Sequence, residues 1–143
     1  MKNSERDNLK AEKIELTLIF QGMLGYLKIA NESFNIHHLQ VKTKSEVGFD
    51  WQQFEDATKE ARDVQSEANE ITERIWQIEH TLMDNPNYKE VRTQAGGIFG
   101  AKIRASKLEK TIQSELANNQ VALQEWDLRI QKVRELRQNE EGT

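Results

Sequence analysis

Residues 49–82 read FDWQQFEDATKEARDVQSEANEITERIWQIEHTL, and the reading of this stretch decides the fold. Its apolar side chains are Phe54, Ala57, Ala61, Val64, Ala68, Ile71, Ile75, Ile78 and Leu82. Their spacing alternates between three and four residues, the a/d repeat of a helix that meets another helix along a seam. Asp50 offers a carboxylate to the free amides of the first turn, with Gln53 three residues on, where it can reach back. Phe49 and Phe54 flank that cap as a hydrophobic staple. The stretch closes on Asp84-Asn85-Pro86-Asn87. Proline lacks an amide hydrogen and drives the residue before it out of helical geometry. Asn87, with Glu90 three residues later, signals a new start. The pattern predicts a first long helix over 50–84, a tight turn, and a second long helix over 88–138.

In the second helix Val91, Ile98, Ala105, Ile112, Asn119, Trp126 and Val133 recur by sevens. Leu108, Leu116, Leu123, Ile130 and Leu136 widen the stripe beside them. Asn119 among apolar neighbours reads either as a register-setting polar residue or as an edge residue facing water. Residues 45–84 carry eleven acidic and three basic side chains, whereas 88–138 carry ten basic and six acidic. Folded back at Pro86, an acidic helix meets a basic one, which selects orientation more than it stabilises. Bulky Ile71, Ile75 and Ile78 would face the small run Ala95, Gly96, Gly97, Gly100 and Ala101. The second helix outlasts the first, so Trp126 to Arg137 need a further partner; residues 139–143 read as a frayed tail.

Residues 1–44 admit two readings. As a helix capped by Ser4, Leu9, Leu16, Met23 and Ala30 recur by sevens, with Ile19 and Leu27 between them. As a small β-meander, Ile14, Leu16, Leu18 and Phe20 alternate with Lys13, Glu15, Thr17 and Ile19. Gly22 and Gly25 would then turn the chain, and 26–30 would pair with 34–39 across Asn31-Glu32-Ser33. The polar stretch 31–49 reads as a connection holding a strand or a helical turn near Phe34 to Val41. The fold expected is mainly α: a single elongated domain, 1–143, built as a coiled-coil-like antiparallel helical hairpin. The apolar N-terminal segment packs on it as a third helix, or as the meander, which would make the chain α+β.

The 143 residues include 31% charged and 36% apolar side chains, one proline and no cysteine. That balance fits exposed helices rich in Glu, Lys, Gln and Arg. Without cysteine there is no disulfide framework and no thiol nucleophile, which agrees with a reducing, cytoplasmic setting. A net charge of −4 gives no global case for nucleic acid. The charged start at Met1 to Glu15 is no signal peptide. Ile14 to Ala30 contains Glu15 and Lys28 and falls short of the roughly 20 residues that span a bilayer, so integral membrane insertion is not expected.

No catalytic, cofactor-binding or metal-ligating set is expected. His37 and His38 are adjacent, so their side chains diverge on a helix or a strand, and no H-E-x-x-H occurs. The carboxylates lie at surface periodicity. The cluster Gln94-Ala95-Gly96-Gly97-Ile98-Phe99-Gly100-Ala101-Lys102 holds three glycines, which cost a helix about 3 kcal/mol against alanine. It reads as close helix packing, a hinge, or a phosphate-binding loop that lacks the P-loop lysine spacing.

These observations point to a non-enzymatic scaffold, adaptor or chaperone-like protein acting by helix packing. The expected interface residues are Leu16, Phe20, Met23, Leu27, Trp76, Gly96, Gly97, Phe99, Gly100, Trp126, Ile130 and Val133. The partner expected is another protein or a second copy, a dimer first. One alternative is nucleic-acid contact through Lys102, Arg104, Lys107 and Lys110. Another is peripheral membrane binding through residues 14–30.

Overall fold

A computed structural model describes residues 2–43, 49–84 and 98–141, with side-chain surroundings over 2–41, 49–82 and 110–140. Three helices pack together: α1 (Asn3–Thr43), α2 (Trp51–Asp84) and α3 (Ile98–Glu141). There is no strand among the described residues. The protein is mainly α, and the β-meander is overturned. Leu, Met, Glu, Lys and Ala dominate the N-terminal segment, and their helix propensity outweighs the two glycines, at about 1 kcal/mol each. The connection expected over 31–49 is corrected as well, because α1 continues unbroken through Thr43. Phe34 explains why: it lies in the core, where its burial outweighs the polar character of its neighbours. Ser4 sits inside the first turn rather than capping it, and Arg6 N donates to the Lys2 carbonyl at 3.1 Å.

The start of α2 follows the sequence closely. Gln53 N donates to Asp50 Oδ1 at 3.0 Å, and Phe54 N donates to the Asp50 carbonyl at 3.1 Å. The Phe49 and Phe54 rings meet edge to face with centroids 5.5 Å apart, forming the staple. Residues 85–97, which hold the expected turn and the start of the expected second helix, lie outside the described residues. At its far end α3 runs through Glu141, past the point where a frayed tail was expected.

The helices contribute to two compact units, one of Met1–Gln21 with Asn69–Asn118, the other of Gly22–Ala68 with Asn119–Thr143. In the first unit, Ile78, Leu82 and Thr72 of α2 are buried. Arg74 donates to both carboxylate oxygens of Glu12 at 2.8 and 2.9 Å, and Lys13 pairs with Glu79 at 2.6 Å. These pairs tie α2 to α1 rather than to the basic helix that the charge count singled out. The Arg74 guanidinium beside Glu12 holds that carboxyl below its usual range.

In the second unit, the core gathers Leu27 and Phe34 of α1, Phe54, Ala61 and Ala68 of α2, and Trp126 and Val133 of α3. The α2 seam is rotated from the one the apolar residues outline. Thr58 is buried at 3% exposure, while Ala57 is exposed. The Thr58 hydroxyl donates to the Phe54 carbonyl at 2.8 Å, so its methyl faces the core without an orphaned polar group. Three contacts set α2 antiparallel to α3. Arg137 Nη1 donates to Gln52 Oε1 at 3.1 Å, Arg134 pairs with Glu55 at 3.4 Å, and Arg62 pairs with Asp127 at 3.0 Å. Each pair mirrors the next about one point along the helices. The Lys59 ammonium, 3.0 Å from Glu55, is the main cause holding that carboxyl below its usual range against the opposing effect of burial.

Candidate functional site

Phe34, Phe49, Trp51, Phe54 and Trp126 of the second unit form one aromatic cluster with His37 and His38. Phe34 stacks on His38 at 5.9 Å, tilts against Phe54 at 5.4 Å and meets Trp126 edge to face at 6.5 Å. His37 lies 5.3 Å from the Phe54 ring and 6.0 Å from Phe49. Arg129 covers the cluster, its guanidinium carbon 4.4 Å above the Trp126 ring and 5.2 Å above Phe34. It donates to Asn31 Oδ1 across the α1–α3 contact and has no carboxylate at ion-pair distance among the described residues. Burial pushes this guanidinium below the ordinary arginine range, with Glu125 pulling the other way. A charge held this way takes its stabilisation from ring faces rather than from an anion.

Beside the cluster lies a cavity of about 180 Å³ between α1 and α2, floored by Trp126. Its walls are mostly apolar: Ile29, Ala30, Phe34, Phe54 and Ala57. Its polar groups are engaged locally. Thr58 bonds the Phe54 carbonyl, and His37 Nδ1 sits 2.8 Å from the Ser33 carbonyl. The Tyr26 hydroxyl at the mouth is shifted upward by burial and then by the Glu60 carboxylate. Ser33 Oγ lies 3.3 Å from His37 Nδ1, a contact between neighbouring turns of α1, and no three His, Asp or Glu side chains converge among the described residues. Chemically the cavity is an apolar recess.

The expected interface residues separate into groups. Leu27, Trp126 and Val133 are core residues of the second unit, at 5%, 3% and 0% exposure. Ile130 is half-buried there, as is Met23; Leu16, Phe20 and Trp76 are half-buried in the first unit. The Trp76 indole nitrogen is buried without an acceptor among the described residues. Gly96 and Gly97 lie outside the described residues. Phe99, Gly100, Lys102, Arg104 and Lys107 fall in α3, but their side-chain surroundings lie outside as well, and Lys110 is exposed.

The structure exposes other apolar side chains. In the first unit these are Ile14, Leu18 and Ile19. In the second they are Leu24, Tyr26, Ile29, Ile36 and Leu39 of α1, with Val121 and Leu128 of α3. Ile29, Ile36 and Leu39 are 67%, 58% and 61% exposed, and their spacing of seven and three places them on one face of α1. Gly22 and Gly25 fall on the same face, and a Cβ added at either would meet nothing within 4 Å among the described residues. Sequence reasoning followed the inward register of Leu9, Leu16, Met23 and Ala30, and passed over this outward one. The signal was available in the same heptad count, started one residue earlier, at Gly22, Ile29 and Ile36.

No protein-family model matches the chain, and no curated protein or solved structure matches it. No helix among the described residues is long and apolar enough to cross a membrane.

Proposed function

We propose that this chain is a non-enzymatic interaction protein that works by helix packing, with itself or with a partner chain, as a scaffold, adaptor or chaperone. The observation that carries the reading is the outward apolar face of α1. Ile29, Ile36 and Leu39 stand largely in solvent along one side of a helix, and large apolar side chains exposed at helical spacing are the usual mark of a helix-binding surface. A cytoplasmic setting belongs to the same proposal and rests on the cysteine-free composition. The aromatic cluster acts here as an internal clamp that keeps α1 seated so that its outer face is presented.

Light scattering after size exclusion, over a concentration series at two salt concentrations, tests the reading. Mass that rises with concentration and persists at high salt supports apolar self-association. A monomer under every condition overturns self-association. Binding to duplex DNA at low salt would replace it with a phosphate-contacting role for the basic residues Lys102 to Lys110. Flotation with anionic vesicles would favour a membrane-surface role for the exposed residues of 14–30.

A further inference from the structure

We infer that the outer face of α1 in the second unit pairs with the same face of a second copy, antiparallel, with Gly22 under Leu39 and Gly25 under Ile36 of the other copy. The inference rests on the interaction-protein reading above and names its partner and register. The face runs Gly22, Gly25, Ile29, Glu32, Ile36 and Leu39, an alternation of three and four. It is lopsided: two residues without side chains at one end, two large aliphatic ones at the other. A parallel pairing sets glycine on glycine and leaves a gap. The antiparallel pairing sets each large residue over a bare stretch of backbone, and a two-fold axis near Ala30 and Asn31 repeats every contact, as an isologous interface requires. Among the described residues nothing lies within 4 Å of a Cβ placed on either glycine.

Charge agrees with this register. At the centre, Ile29 meets Glu32 of the other copy, and Lys28 of one copy comes alongside Glu32 of the other. Lys28 and Glu32 are both exposed, and neither has an ion-pair partner among the described residues. The pairing gives each a partner of opposite sign, twice per dimer. The face is about 27 Å long. A helix pair of that length buries on the order of 1,000 Å², near the lower limit for a specific interface, so the dimer is concentration-dependent.

Cysteine cross-linking tests the register, because the chain has no cysteine of its own. Three full-length variants are oxidised near the association midpoint and read on non-reducing gels: G25C/I36C, G25C and I36C. Within one helix positions 25 and 36 stand about 16 Å apart, too far to bridge. The expected result is a cross-linked dimer from the double variant and monomer from each single one. Efficient linking of either single variant means that like positions meet, and overturns the antiparallel register. A fourth variant, Ile29→Asp, alters an exposed side chain and leaves the fold, followed by circular dichroism, unchanged. It should weaken association at least tenfold. If the native chain associates while the double variant does not link and Ile29→Asp associates normally, this inference fails and the interaction-protein reading stands on another face. If the native chain never associates, the inference and the self-association branch of that reading fail together.

Discussion

Replacing Gly22 and Gly25 together by alanine should stabilise the dilute protein, although both lie on the surface proposed for pairing. Each glycine sits inside the 41-residue helix α1, where its backbone freedom costs about 1 kcal/mol against alanine. An added Cβ at either position meets no atom of the described residues within 4 Å, so there is no steric term to subtract. The double variant Gly22→Ala, Gly25→Ala should therefore gain about 2 kcal/mol. For a chain of this size, that raises the melting temperature by about 6 °C. The assay is urea and thermal unfolding followed by circular dichroism well below the association midpoint. As protein concentration rises the advantage should shrink, because the added methyl groups hold a second helix away from the backbone. Equal or lower stability of the dilute variant would refute the reasoning, since it would mean that this face is already covered.

Three further outcomes follow from the core and its charges. Ala61 is fully buried, so Ala61→Leu should cost about 1–3 kcal/mol by overpacking, measured by urea unfolding. Arg129→Lys keeps the charge but loses the flat stack on Trp126 and Phe34, and should cost about 1 kcal/mol with a shift in tryptophan emission. The Glu55 carboxyl titrates below its usual range in the folded chain, so it stabilises the fold above the unfolded carboxylate range and loses that contribution as pH falls through the folded value. Between about pH 5 and 3, Glu55→Gln should lose stability less steeply than the native chain, and the two should converge in stronger acid, as acid-to-urea titrations would show.

What the sequence disclosed depended on whether one local rule governed the outcome. The start of α2 was legible because Asp50, Gln53, Phe49 and Phe54 all act within five residues of one another. Gln53 contributes its backbone amide, and its side chain makes no return bond among the described residues. The seam was legible in period but not in phase. Counting apolar residues selects Ala57 over Thr58, yet a threonine whose hydroxyl bonds the preceding turn presents a methyl to the core as readily as a valine does. In α1 the two glycines and the alternation over 14–20 kept a strand reading open, and helix propensity together with packing around Phe34 decides against it. The exposed face escaped notice for a related reason. Residues 26–39 of α1 are apolar on two sides, and composition cannot say which side the chain covers for itself. Phe34 and Leu27 are covered by α2 and α3, and Ile29, Ile36 and Leu39 are left in water.

The three polar contacts between α2 and α3 in the second unit can be regarded as a short message with built-in error detection. Read in order, α2 offers Gln52, Glu55 and Arg62, and α3 answers with Arg137, Arg134 and Asp127. A slip of α3 by one heptad keeps the period of the seam, although it brings Asn119 or Glu140 to a core position. The charges do not tolerate it. Slipped one way, Glu55 comes opposite Asp127; slipped the other way, Arg62 comes opposite Arg134. Either single-heptad error juxtaposes like charges, which costs rather than stabilises. Each correct pair is worth little on its own, but two opposite signs seven residues apart are the smallest code that flags a shift in both directions.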